Sequence, residues 1–395
     1  MTENSGRTGL WLIGARGSVA TTVACGLAAL KAGLIDSTGC VTDGLDLDPE
    51  VFPGWSDLVL GGHDLTSTGL DKRAETLAEA GVVPPGVLAG IRADLLTVDA
   101  RIRPGYHPAS HRGSQADAAA RLAADLADFR RAEALERVVV INLASTEAPV
   151  PEVPEHTDLS ALRAAMDEPS RCVLPPSSLA AYAAFSSGCA FVDFTPSPGI
   201  RLPALVELAR ENGLPFAGSD GKTGQTLLRS ALAPMFVARR LKVQSWSGTN
   251  LLGGGDGATL ADGTRAEGKL RSKGRGLEAM LGTAITAPLH IDNVPDLGER
   301  KVAWDYVSFE GFLGARMSLQ LSWDGYDSAL AAPLVLDLAR LVAGAQKAGA
   351  SGPLGELGFF FKDGPGSGPA GPHALADQAA RLVAWVRNLE RDLEK

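Results

Sequence analysis

Residues 9–20, Gly-Leu-Trp-Leu-Ile-Gly-Ala-Arg-Gly-Ser-Val-Ala, decide the fold of this chain. A short apolar run ends at Gly14 and gives way to an Ala, Leu and Val pattern that continues to Leu34. This order predicts a buried strand, a glycine turn and a helix, which is how a dinucleotide-binding fold begins. The turn has the spacing Gly-x-x-Gly-x-x-Ala, with Arg16 in place of the usual middle glycine. An ordinary βα turn is the competing interpretation.

The segments that follow predict an alternating α/β domain up to about residue 220. Strands are expected near 39–42, 58–61, 137–143, 190–194 and 215–217, with a mainly helical insertion over about 66–134. The run at 137–143 is almost continuously apolar, as in a parallel strand covered on both faces. We therefore expect a Rossmann-like, doubly wound parallel sheet.

Candidate cofactor contacts stand where these strands end. The ribose hydroxyls of NAD require an acidic side chain beyond a strand end. Four aspartates qualify by type: Asp43, Asp46, Asp48 and Asp64. Small residues follow the strand at 137–143, at the position where α/β sheets bind ligands. These are Ala144, Ser145 and Thr146.

A second glycine-broken turn lies at 217–226, Ala-Gly-Ser-Asp-Gly-Lys-Thr-Gly-Gln-Thr, just before an apolar helix. Glycines let the backbone N–H groups point inward, and the helix adds its positive N-terminal dipole. The pattern predicts a phosphate site. The competing interpretation is a simple helix start with Thr223 or Thr226 as N-cap.

The pattern changes after residue 220, because 241–248 and 302–324 alternate apolar and polar side chains at period two. This predicts a mainly antiparallel sheet in a second α+β domain. We expect an NAD-binding domain over 1–220, a catalytic and oligomerisation domain over 221–328, and C-terminal helices over 329–395 that pack back on the first domain.

Composition restricts the partners of this chain of 395 residues. Its net charge of −9 argues against nucleic acid and anionic membranes. The four cysteines are scattered without a CxxC pair, as in a cytoplasmic protein with reduced thiols. The six histidines have no metal-ligand spacing, so no metal site is expected. No apolar run reaches the length of a membrane span.

Four motifs occur in an order that resembles the inositol-phosphate synthase family. They are Gly-Ser-Asp-Gly-Lys-Thr-Gly-Gln-Thr at 218–226, Arg-Ser-Lys at 271–273, Lys-Val-Ala-Trp-Asp at 301–305 and Asp-Ser-Ala-Leu-Ala-Ala-Pro at 327–333. The resemblance runs from Leu12 to about Lys362. It implies a cyclase that oxidises a hexose-phosphate hydroxyl with NAD, enolises beside the ketone, closes a ring by aldol addition and reduces the ketone again.

The resemblance also implies roles for individual residues. The cofactor would contact Gly14, Ala15, Arg16, Gly17, Ser18, Val19, Ala20, Asp64, Ala144, Ser145, Thr146 and Asp256. The substrate would contact Lys222, Thr223, Gly224, Gln225, Thr226, Leu252, Lys273 and Lys301. The catalytic set would be Lys273, Lys301, Lys362, Asp220 and Asp327. For Asp327 the alternative is an N-cap of the following helix. A structural cation at Asp220 stays open, and the family points to a homotetramer.

Two departures from the family pattern surround the expected sugar position. Leu277 replaces a second lysine, one helical turn after Lys273, and Gly254 and Gly255 replace paired asparagines. The substrate therefore stays open between glucose 6-phosphate, closing to an inositol phosphate, and fructose 6-phosphate, closing to a five-membered cyclitol phosphate. A dehydrogenase that releases NADH and a catalytically silent binding protein are the further alternatives.

Overall fold

Two sheets organise the computed structural model, which describes residues 6–45, 51–148, 150–169, 171–253, 277–362 and 373–394. The larger sheet contains β1 (Thr8–Ile13), β2 (Leu58–Asp64), β3 (Ile102–Pro104), β4 (Arg137–Asn142), β5 (Ala190–Asp193), β6 (Pro215–Gly218) and the short edge strand β11 (Gly352–Pro353) near the C-terminus. All neighbouring strands pair in parallel, in the order β11-β6-β5-β4-β1-β2-β3.

Helices cover both faces of this sheet. Among the described residues are the helices α1 (Ser18–Lys31), α2 (Leu70–Glu79), α3 (Pro85–Asp99), α4 (Gln115–Ala132), α5 (Leu159–Met166), α6 (Pro176–Ser186), α7 (Pro203–Glu211), α8 (Gly224–Ala238), α9 (Asp327–Lys347) and α10 (Leu375–Leu393), and residues 277–281 are helical as well. Residues of α1, α2, α3 and α9 share one apolar core, and residues of α4–α7 form the other. Strand β4 is apolar along its length because both of its faces are buried. Val139 and Ile141 belong to the first core, whereas Val138 and Val140 belong to the second.

The sheet is doubly wound about β1. This strand pairs with β2 on one side and with β4 on the other, so the strand order reverses between β1 and β4. In such sheets a crevice opens outside the carboxyl ends of the strands at the reversal point, and ligands bind there. The expected Rossmann-like fold is confirmed.

The smaller sheet contains β7 (Lys242–Leu252), β8 (Leu289–Asn293), β9 (Arg300–Glu310) and β10 (Arg316–Tyr326). Its order is β10-β9-β7-β8, with antiparallel pairs except for the parallel pair of β7 and β8. Helix α8 packs on its inner face, where Phe236 contacts the buried Trp246 and Val307. The second, mainly antiparallel sheet is therefore confirmed.

Helix α9 joins the two halves of the protein. It begins at Asp327, directly after β10, and packs on α1 and on β4, β5 and β6. By length and composition it could cross a membrane, but most of it is buried inside this protein. The expectation of C-terminal helices lying on the first sheet agrees with this contact, whereas the domain boundaries themselves stay predictions.

The strand expected near 39–42 is wrong, because Val41–Gly44 forms a 3-10 helix. The buried carboxylate of Asp337 on α9 accepts hydrogen bonds from the N–H groups of Val41 and Thr42, at 2.6 and 3.0 Å. These donors are therefore taken by a side chain and cannot join a sheet. The insertion over 66–134 contains α2, α3 and α4, but also the edge strand β3.

Candidate functional site

The glycine turn after β1 packs tightly on the end of β4. Gly14 has a φ of +81°, and a Cβ atom there would lie 2.9 Å from the Cα of Ala144. The N–H groups of Gly14 and Ala15 both donate to the carbonyl oxygen of His63, at 2.8 and 3.1 Å. Only glycine allows this left-handed, crowded backbone at no steric cost. The turn leaves the N-terminus of α1 facing the crevice, with no side-chain cap at Gly17.

Asp64 at the end of β2 holds this turn. Its carboxylate accepts hydrogen bonds from the N–H groups of Arg16 and Thr66, each at 2.7 Å. The Arg16 guanidinium donates to Asp99 at 2.9 Å and to the Thr66 carbonyl at 2.8 Å. Asp64 thus stands at the strand end where a ribose acceptor is expected, and it also braces the loop that would contact a pyrophosphate.

A cavity of about 500 Å³ opens at this place. It is lined by predicted cofactor residues from three strand ends: Gly14, Arg16, Gly17, Asp64, Ala144 and Ser145. Of the other predicted cofactor residues, Ala15 and Ala20 are buried. Val19 and Thr146 are half-buried and are not part of the cavity lining. The left-handed glycine, the acidic strand end and the uncapped helix N-terminus are the features that an NAD site requires.

A buried polar network lies under the expected nicotinamide end. Asp193 at the end of β5 accepts hydrogen bonds from Asn142 Nδ2 at 3.1 Å and from Thr195 Oγ1 at 3.0 Å. Asn142 in turn accepts from the N–H of Ala144 at 3.2 Å. Burial raises the pKa of Asp193 to about 7, against the hydrogen bonds that lower it. The network therefore links the ends of β4 and β5 to the loop that begins at Ala144.

This network predicts a pH dependence of stability. Because the pKa of Asp193 is raised in the folded protein, the folded state keeps a proton that the unfolded chain releases, and stability falls as pH rises from about 4 through 7. Between pH 5 and 8 we expect a loss of about 3 kcal/mol from this group. Asp193→Asn should reduce the loss, measured by urea unfolding at both pH values. The exposed Asp128→Asn should leave it unchanged; equal losses in all three proteins would contradict this origin.

The predicted phosphate loop brings two lysines and two aspartates together. Helix α8 begins at Gly224, and no side chain caps it. Thr223 occupies the N-cap position, but its hydroxyl donates to Asp327 Oδ1 at 2.8 Å. Lys301 Nζ lies 3.1 Å from Asp327 Oδ2 and 3.7 Å from the place of a Cβ on Gly224. The interpretation as an ordinary side-chain-capped helix start is therefore wrong, and the free N–H groups and an ammonium point to one place.

Asp327 is held in its ionised form at this place. Burial opposes its charge, but the attraction of Lys301 and the hydrogen bonds from Thr223 and Lys301 outweigh burial, and they lower the pKa of Asp327 to about 2. The charge of Lys362 acts in the same direction. Asp327 is the first residue of α9, and its carboxylate accepts hydrogen bonds from Thr223 and Lys301.

A short antiparallel bridge positions Lys362 against the phosphate loop. Gly221 pairs with Phe361, the Lys222 N–H donates to the Phe360 carbonyl at 2.8 Å, and the Lys362 N–H donates to the Asp220 carbonyl at 2.9 Å. The side chains of Lys362 and Asp220 then form an ion pair of 2.8 Å, with both side chains nearly buried. Sequence positions more than 140 apart are thus joined into one constellation.

Two predicted substrate residues direct their side chains elsewhere. The Lys222 ammonium donates to Gln378 on α10, and burial lowers the pKa of Lys222 to about 8. The Gln225 amide donates to Asp305 and accepts from Asn250 at 3.3 Å. The backbone N–H of Gln225 remains available at the N-terminus of α8, as do those of Gly224 and Thr226.

A small cavity of about 40 Å³ lies beside this constellation. Its wall includes Leu277, the position at which the family pattern has a lysine. Lys222, Arg229 and Lys362 also line the cavity. Leu277 is 1 % exposed and belongs to the apolar cluster of the second sheet. The position therefore presents an apolar wall to three cationic side chains.

One further predicted substrate residue lies in the second sheet, and two predicted site residues fall outside the described part of the chain. Leu252 is buried at the end of β7, opposite Lys301 in the strand register. Asp256 and Lys273 lie outside the described residues, as do Gly254 and Gly255. The roles assigned to these four positions stay predictions.

The cofactor crevice and the cation constellation are connected. Ser18 Oγ, at the start of α1, donates to Glu299 at 2.9 Å, two residues before Lys301. On the other side, the Gly221 N–H donates to the Phe194 carbonyl at 2.9 Å, just after β5. The two parts thus face one another across the carboxyl edge of the large sheet, as one site made by both sheets.

This fold, with its Rossmann-like sheet and a second, mainly antiparallel sheet, is that of a dinucleotide-binding protein. The family model of myo-inositol-1-phosphate synthase, an NAD-binding domain, matches residues 50–387. The chain belongs to this family. The family supports an enzyme of the isomerase or cyclase type that binds NAD.

Relatives in sequence support the family, and a solved structure supports the fold. Inositol-3-phosphate synthase 1 of Bacteroides thetaiotaomicron is 32% identical over 386 residues, covering 91% of this chain and 89% of that protein. The human enzyme of the same name is 31% identical, with 78% of this chain and 60% of that protein covered. The crystal structure of inositol-3-phosphate synthase from Caenorhabditis elegans has a TM-score of 0.84 at 22% identity, covering 98% of this chain and 86% of that one.

Sequence reasoning missed several polar residues of the site. Asn142, Asp193 and Glu299 carry no motif of their own, and their contacts depend on strand ends that only the fold brings together. Asp305 had a usable signal. It follows Lys301 by four residues in an alternating strand, so both side chains point to the same face.

Proposed function

We propose that this protein is an NAD-dependent cyclase that converts a hexose 6-phosphate into a carbocyclic cyclitol phosphate. One observation carries the proposal: the uncapped N-terminus of α8 meets Lys301, Asp327 and Lys362 at the sheet edge that also forms the cofactor cavity. A dehydrogenase needs no such set of fixed cations beside a phosphate site. Enolate and alkoxide oxygens, which arise in an aldol cyclisation, do need them.

The reaction we propose balances without an external oxidant. Closing a six-membered ring from glucose 6-phosphate joins C1 to C6, so C6 must lose a proton and the ketone that activates it must stand at C5. NAD, when bound, accepts and returns the two electrons that oxidation and reduction at C5 require. The C1 carbonyl oxygen gains a proton as the C–C bond forms. The product is therefore an isomer of the substrate.

The side chains fit distinct parts of this reaction. Lys301 and the N–H groups of Gly224 and Gln225 would bind the phosphate, since a helix N-terminus and an ammonium both favour a dianion. Asp327 keeps Lys301 in place and charged. The Lys362 ammonium, positioned by Asp220, would stabilise developing oxyanions and exchange a proton with them. By resemblance, Lys273 would act beside Lys362.

Glucose 6-phosphate is our first candidate substrate, and fructose 6-phosphate is the second. With fructose 6-phosphate the same enolate at C6 attacks C2, which gives a five-membered ring. A specific observation favours keeping this candidate: buried Leu277 stands in the wall of the cavity next to Lys362, where the family has a further lysine. The position can no longer neutralise or bind a substrate oxygen.

A homotetramer associating through the second sheet is part of the proposal. Strand β10 is an edge of that sheet, and Trp304 and Met317 expose apolar side chains on it and on its neighbour β9. At the hairpin between them Phe312 is 88 % exposed. A stable monomer in sedimentation equilibrium would contradict this association. A cytoplasmic location stays a prediction.

The substrate is tested by incubation of the protein with each hexose 6-phosphate and an amount of NAD far below that of the sugar. Phosphorus NMR of the products distinguishes a six-membered from a five-membered cyclitol phosphate. We expect one sugar phosphate to be consumed. If none is consumed although NAD and sugar phosphate both bind, the protein is a silent binding protein and the proposal is wrong.

A further inference from the structure

The carboxylate of Asp305 on β9 lies directly behind the first turn of α8. Gln225 Nε2 donates to both of its oxygens, at 2.9 and 3.0 Å. Trp246 Nε1 donates to Oδ1 at 2.8 Å, and Arg229 Nη2 is 3.4 Å from the same oxygen. One side chain of the second sheet therefore holds two residues of α8, Gln225 and Arg229.

This network is closed to solvent. Asp305 and Gln225 are each 2 % exposed, Arg229 is 3 % exposed and Trp246 is fully buried. A buried carboxylate is tolerated only when it is paired and hydrogen-bonded. Arg229 provides the opposite charge, and burial, which lowers the pKa of Arg229, is opposed by the charge of Asp305. The pair is thus retained at an energetic cost that apolar residues would avoid.

The backbone around Asp305 is shaped to admit the Gln225 side chain. Gly248 on β7 lies opposite Asp305 in the strand register. A Cβ atom at Gly248 would come within 2.3 Å of Gln225 Nε2 and 3.2 Å of Asp305 Oδ1. The absence of a side chain at Gly248 leaves the space through which the Gln225 amide reaches the sheet.

The amide held in this way belongs to the second residue of α8. Its backbone N–H is one of those that would bind the substrate phosphate. Asn250 Nδ2 donates to the Gln225 oxygen at 3.3 Å, so both ends of the amide are fixed from the second sheet. Lys301 projects from β9 on the same face as Asp305, four residues earlier. One strand therefore supplies the phosphate cation and the anchor of the helix that supplies the N–H groups.

We infer that Asp305 is a positioning residue for phosphate recognition, which fixes the N-terminus of α8 relative to Lys301 by holding Gln225. The inference rests on the proposed function, since it assigns the phosphate group of the substrate to this helix. Asp305 touches no substrate itself. A purely structural buried aspartate would change stability alone, whereas this role changes the affinity for phosphate groups.

The inference is tested with Asp305→Asn in the full-length protein. An amide in this position presents an NH2 group where Oδ2 accepts from Gln225, so Gln225 keeps only its hydrogen bond to Oδ1, which also accepts from Trp246 and Arg229. We expect the Kd for inorganic phosphate and the KM for the sugar phosphate to rise about tenfold, with the Kd for NAD changed less than twofold. The milder variant Trp246→Phe removes one donor, keeps an aromatic side chain of smaller size and should give a smaller rise in the same constants.

Asp337→Asn is the matched control. Asp337 is also fully buried, accepts a hydrogen bond from Thr42 and interacts with the charge of Arg340. It lies on α9, however, where it packs against the 3-10 helix Val41–Gly44. It should lower thermal stability without changing phosphate affinity. The positioning role alone would be wrong if the wild-type protein and Asp305→Asn bound phosphate equally tightly. It would also be wrong if Asp305→Asn lost phosphate affinity and NAD affinity to the same extent. Wild-type protein that binds no phosphate compound at all would contradict the proposed function as well.

Discussion

Lys301→Met is expected to lower turnover by about 1,000-fold or more while leaving NAD affinity unchanged. The Lys301 ammonium lies 3.1 Å from Asp327 and beside Gly224, where the substrate phosphate would sit. Methionine keeps much of the side-chain volume but removes the charge. The phosphate then loses its fixed cation, and Asp327 keeps an uncompensated charge facing it. Steady-state kinetics by phosphorus NMR and calorimetric titration with NAD measure the two effects.

The matched control for this variant is Lys72→Met. Lys72 is an exposed lysine on α2, where its side chain is 62% exposed and pairs with Glu75. Its removal should change neither turnover nor NAD affinity. A Lys301→Met enzyme that keeps a tenth or more of the wild-type turnover would exclude the cation constellation as the place of the chemistry.

Gly14→Val is expected to weaken NAD binding by at least about 100-fold. The backbone of Gly14 has a φ of +81°, and the new Cβ would lie 2.9 Å from the Ala144 Cα. A β-branched residue there must displace either the turn that faces the pyrophosphate or the loop at the nicotinamide side. Calorimetric titration with NAD measures the loss, and turnover should fall in parallel.

Gly33→Val separates backbone strain from the local clash. Gly33 follows α1 with a φ of +66°, but no atom lies near the place of its Cβ. This control should lose stability through strain and still bind NAD. If both variants bind NAD equally well, the cofactor is held somewhere other than the turn at 14–20.

The large sheet could be predicted from sequence because its signals are local. The apolar run from Thr8 to Ile13 ends at a glycine that needs a positive φ, and the strand 137–142 is apolar on both faces because two cores cover it. The strand expected near 39–42 failed for a non-local reason. Asp337, almost 300 residues later, takes the backbone donors of that segment.

The contacts within the candidate site could be predicted only in part. Thr223, Lys301 and Asp327, which stand in three separate motifs, contact one another. No pattern, however, indicated that the Lys222 ammonium would turn toward Gln378, or that Gln225 would be held by Asp305. These contacts depend on how α8 packs against the second sheet and α10. Such packing is decided by the tertiary structure.

Leu277 is the clearest example of a residue whose meaning changed with the structure. In the sequence, Leu277 stands where the family pattern has a lysine. In the structure, Leu277 is a buried member of the apolar cluster of the second sheet and forms part of the wall of the cavity beside Lys362. A lysine placed at 277 would therefore have to bury its stem in this cluster. In the proposed reaction Leu277 would supply no cation near the sugar, which is why ring size must be measured.

The central claim is that the protein closes a ring and returns its cofactor to the starting state. The most direct test uses glucose 6-phosphate and fructose 6-phosphate that carry deuterium at C5, with NAD at about one hundredth of the sugar concentration. Mass spectrometry of the cyclitol phosphate and absorbance of NADH are followed together. We predict many turnovers per NAD, full retention of the C5 label in the ring product, and no accumulation of NADH. A 5-keto sugar phosphate with NADH formed in equal amount, or loss of the label from the ring, would contradict this cyclisation.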